Sequence, residues 1–174
     1  MKQKHLFILI VSLFLTTLSL QLKAGLKWVD IGVNGLTCSL CSRSVEMSLR
    51  KLDFIEKVDM SLEKTEGRIF IKAGKVVDMK RMASAVKDAG FSVRFFRLEF
   101  AFDDVTVDHN GSFVYQGQVY HWLQFENKPV RGEVALKLID DGFLPRKESS
   151  ELKKKLGFDN ESTGQKIFHV VRDI

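Results

Sequence analysis

Between residues 27 and 33 the chain reads KWVDIGV, with Val29, Ile31 and Val33 alternating against Trp28, Asp30 and Gly32. A period of two predicts a strand with one apolar face, and Asn34-Gly35 breaks it. From about Ser39 the spacing lengthens. Cys41, Val45, Leu49 and Leu52 recur at intervals of four and three, which marks one face of a helix. Ile55, Val58, Met60 and Leu62 predict a second strand, EKTEG a turn, and Arg68 to Lys72 a third strand. Asp78 is placed to cap a second helix with Met79, Met82, Ala83 and Val86 as its apolar stripe, and Gly90 to end it. FSVRFFRLEF supplies a fourth strand. The order β-α-β-β-α-β is the ferredoxin-like arrangement, with the first loop at one end of the sheet.

Beyond residue 100 the rhythm changes. VTVDHNGSFVYQGQVYHWLQF holds two turn signals, Asn110-Gly111 and Gln116-Gly117, between alternating segments, which predicts a meander of short strands. GEVALKLID alternates Val134, Leu136 and Leu138 with Ala135, Lys137 and Ile139, another strand. RKESSELKKKLG predicts a short helix with Leu152 and Leu156 inward, closed by Gly157, and QKIFHVVRD a last strand. The expected fold class is α+β: a ferredoxin-like domain followed by a small, mostly β domain. A curled sheet or an OB-like barrel accounts for the second part.

The first stretch stands apart. Lys2 and Lys4 precede an apolar run from Leu6 to Leu20, broken only by Ser12, Thr16, Thr17 and Ser19, and Ala24-Gly25 follows soon after. This is the pattern of a secretory signal peptide. The run is short for a membrane span, which needs ~20 apolar residues. An uncleaved anchor is the alternative, because Leu22 is a mediocre residue three places before the cut. The expected division is a signal peptide over 1–24, a first domain over 25–99 and a β-rich domain over 100–174. An exported protein follows, periplasmic or secreted, with no stable membrane insertion after cleavage. Losing Lys2, Lys4 and Lys23 lowers the formal charge from +5 to +2. With no run of five like charges either, nucleic acid is not an expected partner.

Both cysteines lie in GLTCSLCSRSV, residues 35–45. A disulfide closing so small a loop gains little chain entropy, so a staple is a weak explanation and chemistry a better one. The helix N-terminus stabilises a thiolate. Two sulfurs satisfy Cu(I), which thiolates select for softness, and suit Hg(II) equally. They leave Zn(II) short of its four ligands.

GLTCSLCSRSVEMSLRKL resembles the metal-binding stretch of the heavy-metal-associated domain family, whose usual form is Gly-Met-Thr-Cys-x-x-Cys followed by a Val and a Leu on the helix. Val45 and Leu49 occupy those places. FIEKVDMSL is similar to the family's second strand and KDAGFSV to the end of its second helix, so the resemblance covers residues 27–97. Leu36 stands where the family usually packs a Met beneath the loop, and Phe54 where a Gly is common. The resemblance implies Cys38 and Cys41 as metal ligands, Leu36 and Thr37 as supports of the loop, and Phe91 beside it. It also implies carriage of Cu(I) between chaperones and P-type ATPases, or of mercury in an exported branch. Thr37, in place of an acidic residue, leans toward copper and away from zinc. The implied partner is a metal donor or acceptor in the cell envelope.

Two alternatives stay open. A thiol–disulfide redox protein also opens a helix with Cys-x-x-Cys. The thioredoxin-like fold, however, sets a cis-proline against the pair, and the two prolines here, Pro129 and Pro145, lie far along the chain. The other is an envelope interaction protein whose metal domain regulates the β-rich half. Met47, Met60, Met79 and Met82 offer thioethers, though three of them lie on apolar stripes expected in the core. Arg43, Arg50 and Lys51 form a docking patch or a solvated helix face. His109, His121 and His169 are a candidate copper or zinc set or, more ordinarily, separate strand histidines. No nucleophile–base pair, paired-carboxylate motif or phosphate loop points to an enzyme.

Overall fold

The computed structural model describes residues 25–103, 106–158 and 167–173; the signal-peptide stretch lies outside them. In chain order the elements are β1 (Leu26–Asn34), α1 (Ser39–Arg50), β2 (Ile55–Ser61), β3 (Glu66–Ile71), α2 (Met79–Asp88), β4 (Ser92–Ala101), β5 (Ser112–Tyr115), β6 (Gln118–Trp122), β7 (Glu133–Leu138), α3 (Arg146–Leu156) and β8 (Ile167–Arg172). They build one sheet in the order β2-β3-β1-β4-β7-β8-β6-β5.

The first six elements form the expected β-α-β-β-α-β unit. β1 runs antiparallel to β3 and β4, setting Val29 opposite Ile69 and Leu98, and Ile31 opposite Phe96. These side chains are fully buried, under Val45 and Leu49 of α1 and Met79, Met82 and Val86 of α2. Asp78 caps α2 by accepting from the Arg81 N–H at 3.0 Å. Phe54 is buried where the chain leaves α1, with the Arg81 guanidinium 5.4 Å from its ring centre. The face away from these helices is polar. Asp30 is 1% exposed there, and Arg68 holds its carboxylate through two bonds of 2.8 and 2.9 Å, with Arg97 at 3.6 Å. A buried carboxylate is tolerable because its charge is paired and its oxygens accept.

The second half is β-rich as expected, but its strands extend the first sheet in linear order, and no OB-like barrel closes among the described residues. The reason lies in β4. Its outward edge carries an unused hydrogen-bond ladder, and β7 has the same apolar alternation, so Phe96, Leu98 and Phe100 pair with Leu138, Leu136 and Val134. β8 follows antiparallel to β7, and β6 runs parallel to β8. The β5–β6 hairpin then curls back, bringing Phe113, Tyr115 and Tyr120 edge-on to Phe100 with ring centres 5.3, 5.3 and 5.6 Å away. At its tip Gln116 accepts from the Val77 N–H and donates to the Lys75 carbonyl, both at 2.9 Å, tying the hairpin to the loop before α2. α3 is fastened through Ser149, whose hydroxyl is shared between Asp141 (2.7 Å) and the Ile139 carbonyl (3.2 Å), and through Lys137 on Glu148 (2.9 Å). Among the described residues no helix is long and apolar enough to cross a membrane.

Candidate metal centre

β1 ends at Asn34, and Gly35 turns the chain with φ +88°, a conformation that favours glycine. Leu36 then drops into the core at 3% exposure and anchors the loop from beneath, while Thr37 and Cys38 stay in solvent. Cys38 is the N-cap of α1, with extended backbone and its sulfur accepting the Cys41 N–H at 3.3 Å. Its carbonyl takes the first helical bond from the Ser42 N–H at 3.2 Å. Cys41, one turn on, is half-buried against the core.

The two sulfurs lie 2.7 Å apart and are not bonded to each other. The Cys38 thiol is held below its ordinary value, first by the Cys41 side chain and then by the N–H groups of Cys41 and Leu40. All three favour the thiolate, because each interacts better with a negative sulfur than with a neutral one. The helix start thus supplies an accessible thiol that ionises more readily than an ordinary cysteine, with a second thiol in contact.

Phe91 reaches the loop from far along the chain. Gly90, at φ +88°, donates to the Lys87 carbonyl at 2.8 Å, and Phe91 N–H to the Val86 carbonyl at 3.2 Å. This is the Schellman closure of α2, and it aims the Phe91 ring at the Gly35 turn, where a side-chain carbon would meet it at 3.6 Å. Leu36, Thr37, Cys38, Cys41 and Phe91 therefore share one end of the sheet.

Other candidates part from this group. Met79 and Met82 are core residues, at 1% and 0% exposure, and Met60 lies over Gly67. Met47 is exposed on α1. Arg50 is engaged by Glu46 at 2.7 Å and the Val58 carbonyl at 3.3 Å, which leaves it less free as a docking cation. His121 and His169 come together, but among the described residues no three histidine, cysteine or acidic side chains are placed to hold a metal. The sequence reading missed Leu40, which stands between the cysteines at 77% exposure. Its signal was its place off the Cys41–Val45–Leu49 face.

The family model of the heavy-metal-associated domain matches residues 31–92. The chain is 34% identical over 64 residues to the copper chaperone CopZ of Staphylococcus saprophyticus, covering 37% of this chain and 93% of that protein. It is 30% identical over 83 residues to the mercuric transport protein periplasmic component of Shigella flexneri, covering 48% of this chain and 90% of that protein. The copper-transporting ATPase RAN1 of Arabidopsis thaliana is 29% identical over 76 residues, 44% of this chain, but the chain spans only 8% of its length. On these matches, the chain belongs to the heavy-metal-associated domain family.

Proposed function

We propose that this protein carries a soft metal ion, Cu(I), between a donor and an acceptor protein of the cell envelope, holding it on Cys38 and Cys41. The observation that supports this most is the exposed Cys38 thiol, its pKa lowered, with the Cys41 sulfur 2.7 Å away at a helix start. The chemistry follows from softness and from incompleteness. Thiolates select Cu(I) over harder ions, and Hg(II) is the competing cargo. Two sulfurs leave Zn(II) unsaturated, and an unsaturated ion is open to a partner's thiols. Leu40 and Met47, at 77% and 53% exposure, give α1 an apolar surface beside the loop for such a partner. The relatives support the same reading by name: one is a copper chaperone, another a periplasmic mercury carrier. Export rests on the Lys2-to-Ala24 pattern, with residues 25–99 as the metal unit and 100–174 as the β-rich half.

Titration of the reduced protein with Cu(I) against a coloured chelator tests this. One ion per chain is expected, and the Cys38→Ser/Cys41→Ser variant should lose it. Undiminished affinity in that variant would overturn the assignment. The close sulfurs also favour a second reading, a thiol–disulfide protein. Steady turnover of a test disulfide would support that instead, and retention of an envelope partner by the double variant would support an interaction role.

A further inference from the structure

Outside the cysteine loop, one pair of side chains is arranged in a way that packing does not explain. His121 on β6 and His169 on β8 stand directly opposite each other across a parallel ladder, their ring centres 5.9 Å apart. His169 is 6% exposed. Asp140, equally buried, spends both oxygens on it: Oδ1 lies 2.7 Å from Nδ1, and Oδ2 accepts the His169 backbone N–H at 2.7 Å. A carboxylate fixed on Nδ1 sets the tautomer, leaving the lone pair on Nε2. That is how the rings of metal-ligating histidines are commonly oriented. Phe158 lies over the same ring, with centres 4.5 Å apart, and shields it on one side. His121 is half-buried and gives access on the other.

We infer that His121 and His169 form a second metal site, for a borderline divalent ion of the Cu(II) type. Imidazole suits Cu(II) and Zn(II), with Cu(II) bound most tightly along the divalent series. An imidazole bound at ~2.0–2.1 Å sets its ring centre about 3.2 Å from the ion, so two of them span about 4.5 Å at a right angle and about 6.4 Å when opposite, and the observed separation lies within that range. Asp108 adds negative charge nearby. Its carboxyl is held below the usual range by the Ser112 and Asn110 N–H groups, both at 2.8 Å, which stabilise its ionised form. With two protein ligands the site is open and exchangeable, completed by water. It differs in kind from the thiolate pair and does not depend on the carrier role: imidazoles take the harder, oxidised ion and thiolates the softer, reduced one.

The test is Cu(II) titration of the Cys38→Ser/Cys41→Ser protein, followed by electron paramagnetic resonance. One Cu(II) per chain with two coupled nitrogens is expected. His121→Ala, at the more accessible ring, should weaken binding at least tenfold and remove one nitrogen. Asp140→Asn should weaken it about 10–100-fold if circular dichroism shows the fold intact, as loss of an orienting carboxylate does. His109→Ala should change nothing. No binding, a spectrum without two nitrogens, or unchanged affinity in His121→Ala would overturn the site.

Discussion

Cys38 puts a thiol where helices usually place the oxygen of Ser, Thr, Asp or Asn. The cap and the reactive group are therefore one atom. A lowered thiol pKa means that thiolate persists to lower pH than at an ordinary cysteine, so alkylation of Cys38 by iodoacetamide should stay fast below the usual thiol range. Cys41→Ala removes the largest cause of that lowering and should shift the rate profile to higher pH. Identical profiles would show that the Cys41 side chain does not matter. The exposure difference predicts a further asymmetry in metal handover. Cys38→Ser should nearly abolish transfer of Cu(I) to a small dithiol, while Cys41→Ser should weaken holding more than it slows transfer. Stopped-flow mixing decides this, and equal slowing in both variants would favour storage over carriage. At this scale the sequence was informative about the cysteines because a spacing of three before a helical stripe is local. It offered His169 as a candidate but was silent about its partner Asp140, because the two are 29 residues apart and meet only through the fold.

For whole elements, the two helix ends flanking the loop matter most. Gly90 closes α2 with φ +88°, which costs other residues ~1–2 kcal/mol. Gly90→Ala should therefore lower the melting temperature by several degrees. It should also loosen Phe91 from the Gly35 turn, seen as faster exchange of bound metal. Calorimetry and metal-exchange rates check the two effects separately, and an unchanged melting point would show that the closure carries no strain for a side chain. The elements themselves were largely legible. Alternation in KWVDIGV and the stripe from Cys41 to Leu49 are signals within one segment, and Asp78 and Gly90 mark helix ends with recognisable chemistry. What the alternation of β5–β8 lacked was any statement of partners. A strand pattern gives the buried face but not the neighbour, so an open edge on β4 and a barrel of the second half's own were equally compatible with it.

Taken whole, the molecule is one sheet with two differently built halves. β4 serves both, pairing with β1 on one side and β7 on the other. Residues 25–99 alone retain Val29, Ile31, Val45, Leu49, Ile69, Met82 and Val86, a core closed by α1 and α2. They should fold. They lose the cover that Leu138, Leu136 and Phe143 give Phe96 and Leu98, and a fully buried side chain of this size contributes roughly 1.5–3 kcal/mol. The fragment should keep its circular dichroism yet melt well below the full protein, and its bared edge should make it prone to self-association. An unfolded spectrum would mean that the halves share one core.

Gln116 gives that relationship a local readout. The Val77 N–H, at the entrance to α2, is held by a side chain from the far hairpin, 39 residues on. Its proton can exchange with solvent only when that side chain lets go. Deuterium uptake at this one amide therefore counts how often the hairpin lifts from the metal-binding half, while amides inside β1 and β3 count global unfolding. If loading the cysteines with metal slows exchange at Val77 and leaves the strands unchanged, the two ends of α2 are communicating. If Val77 is indifferent to metal, the hairpin is a passive clasp.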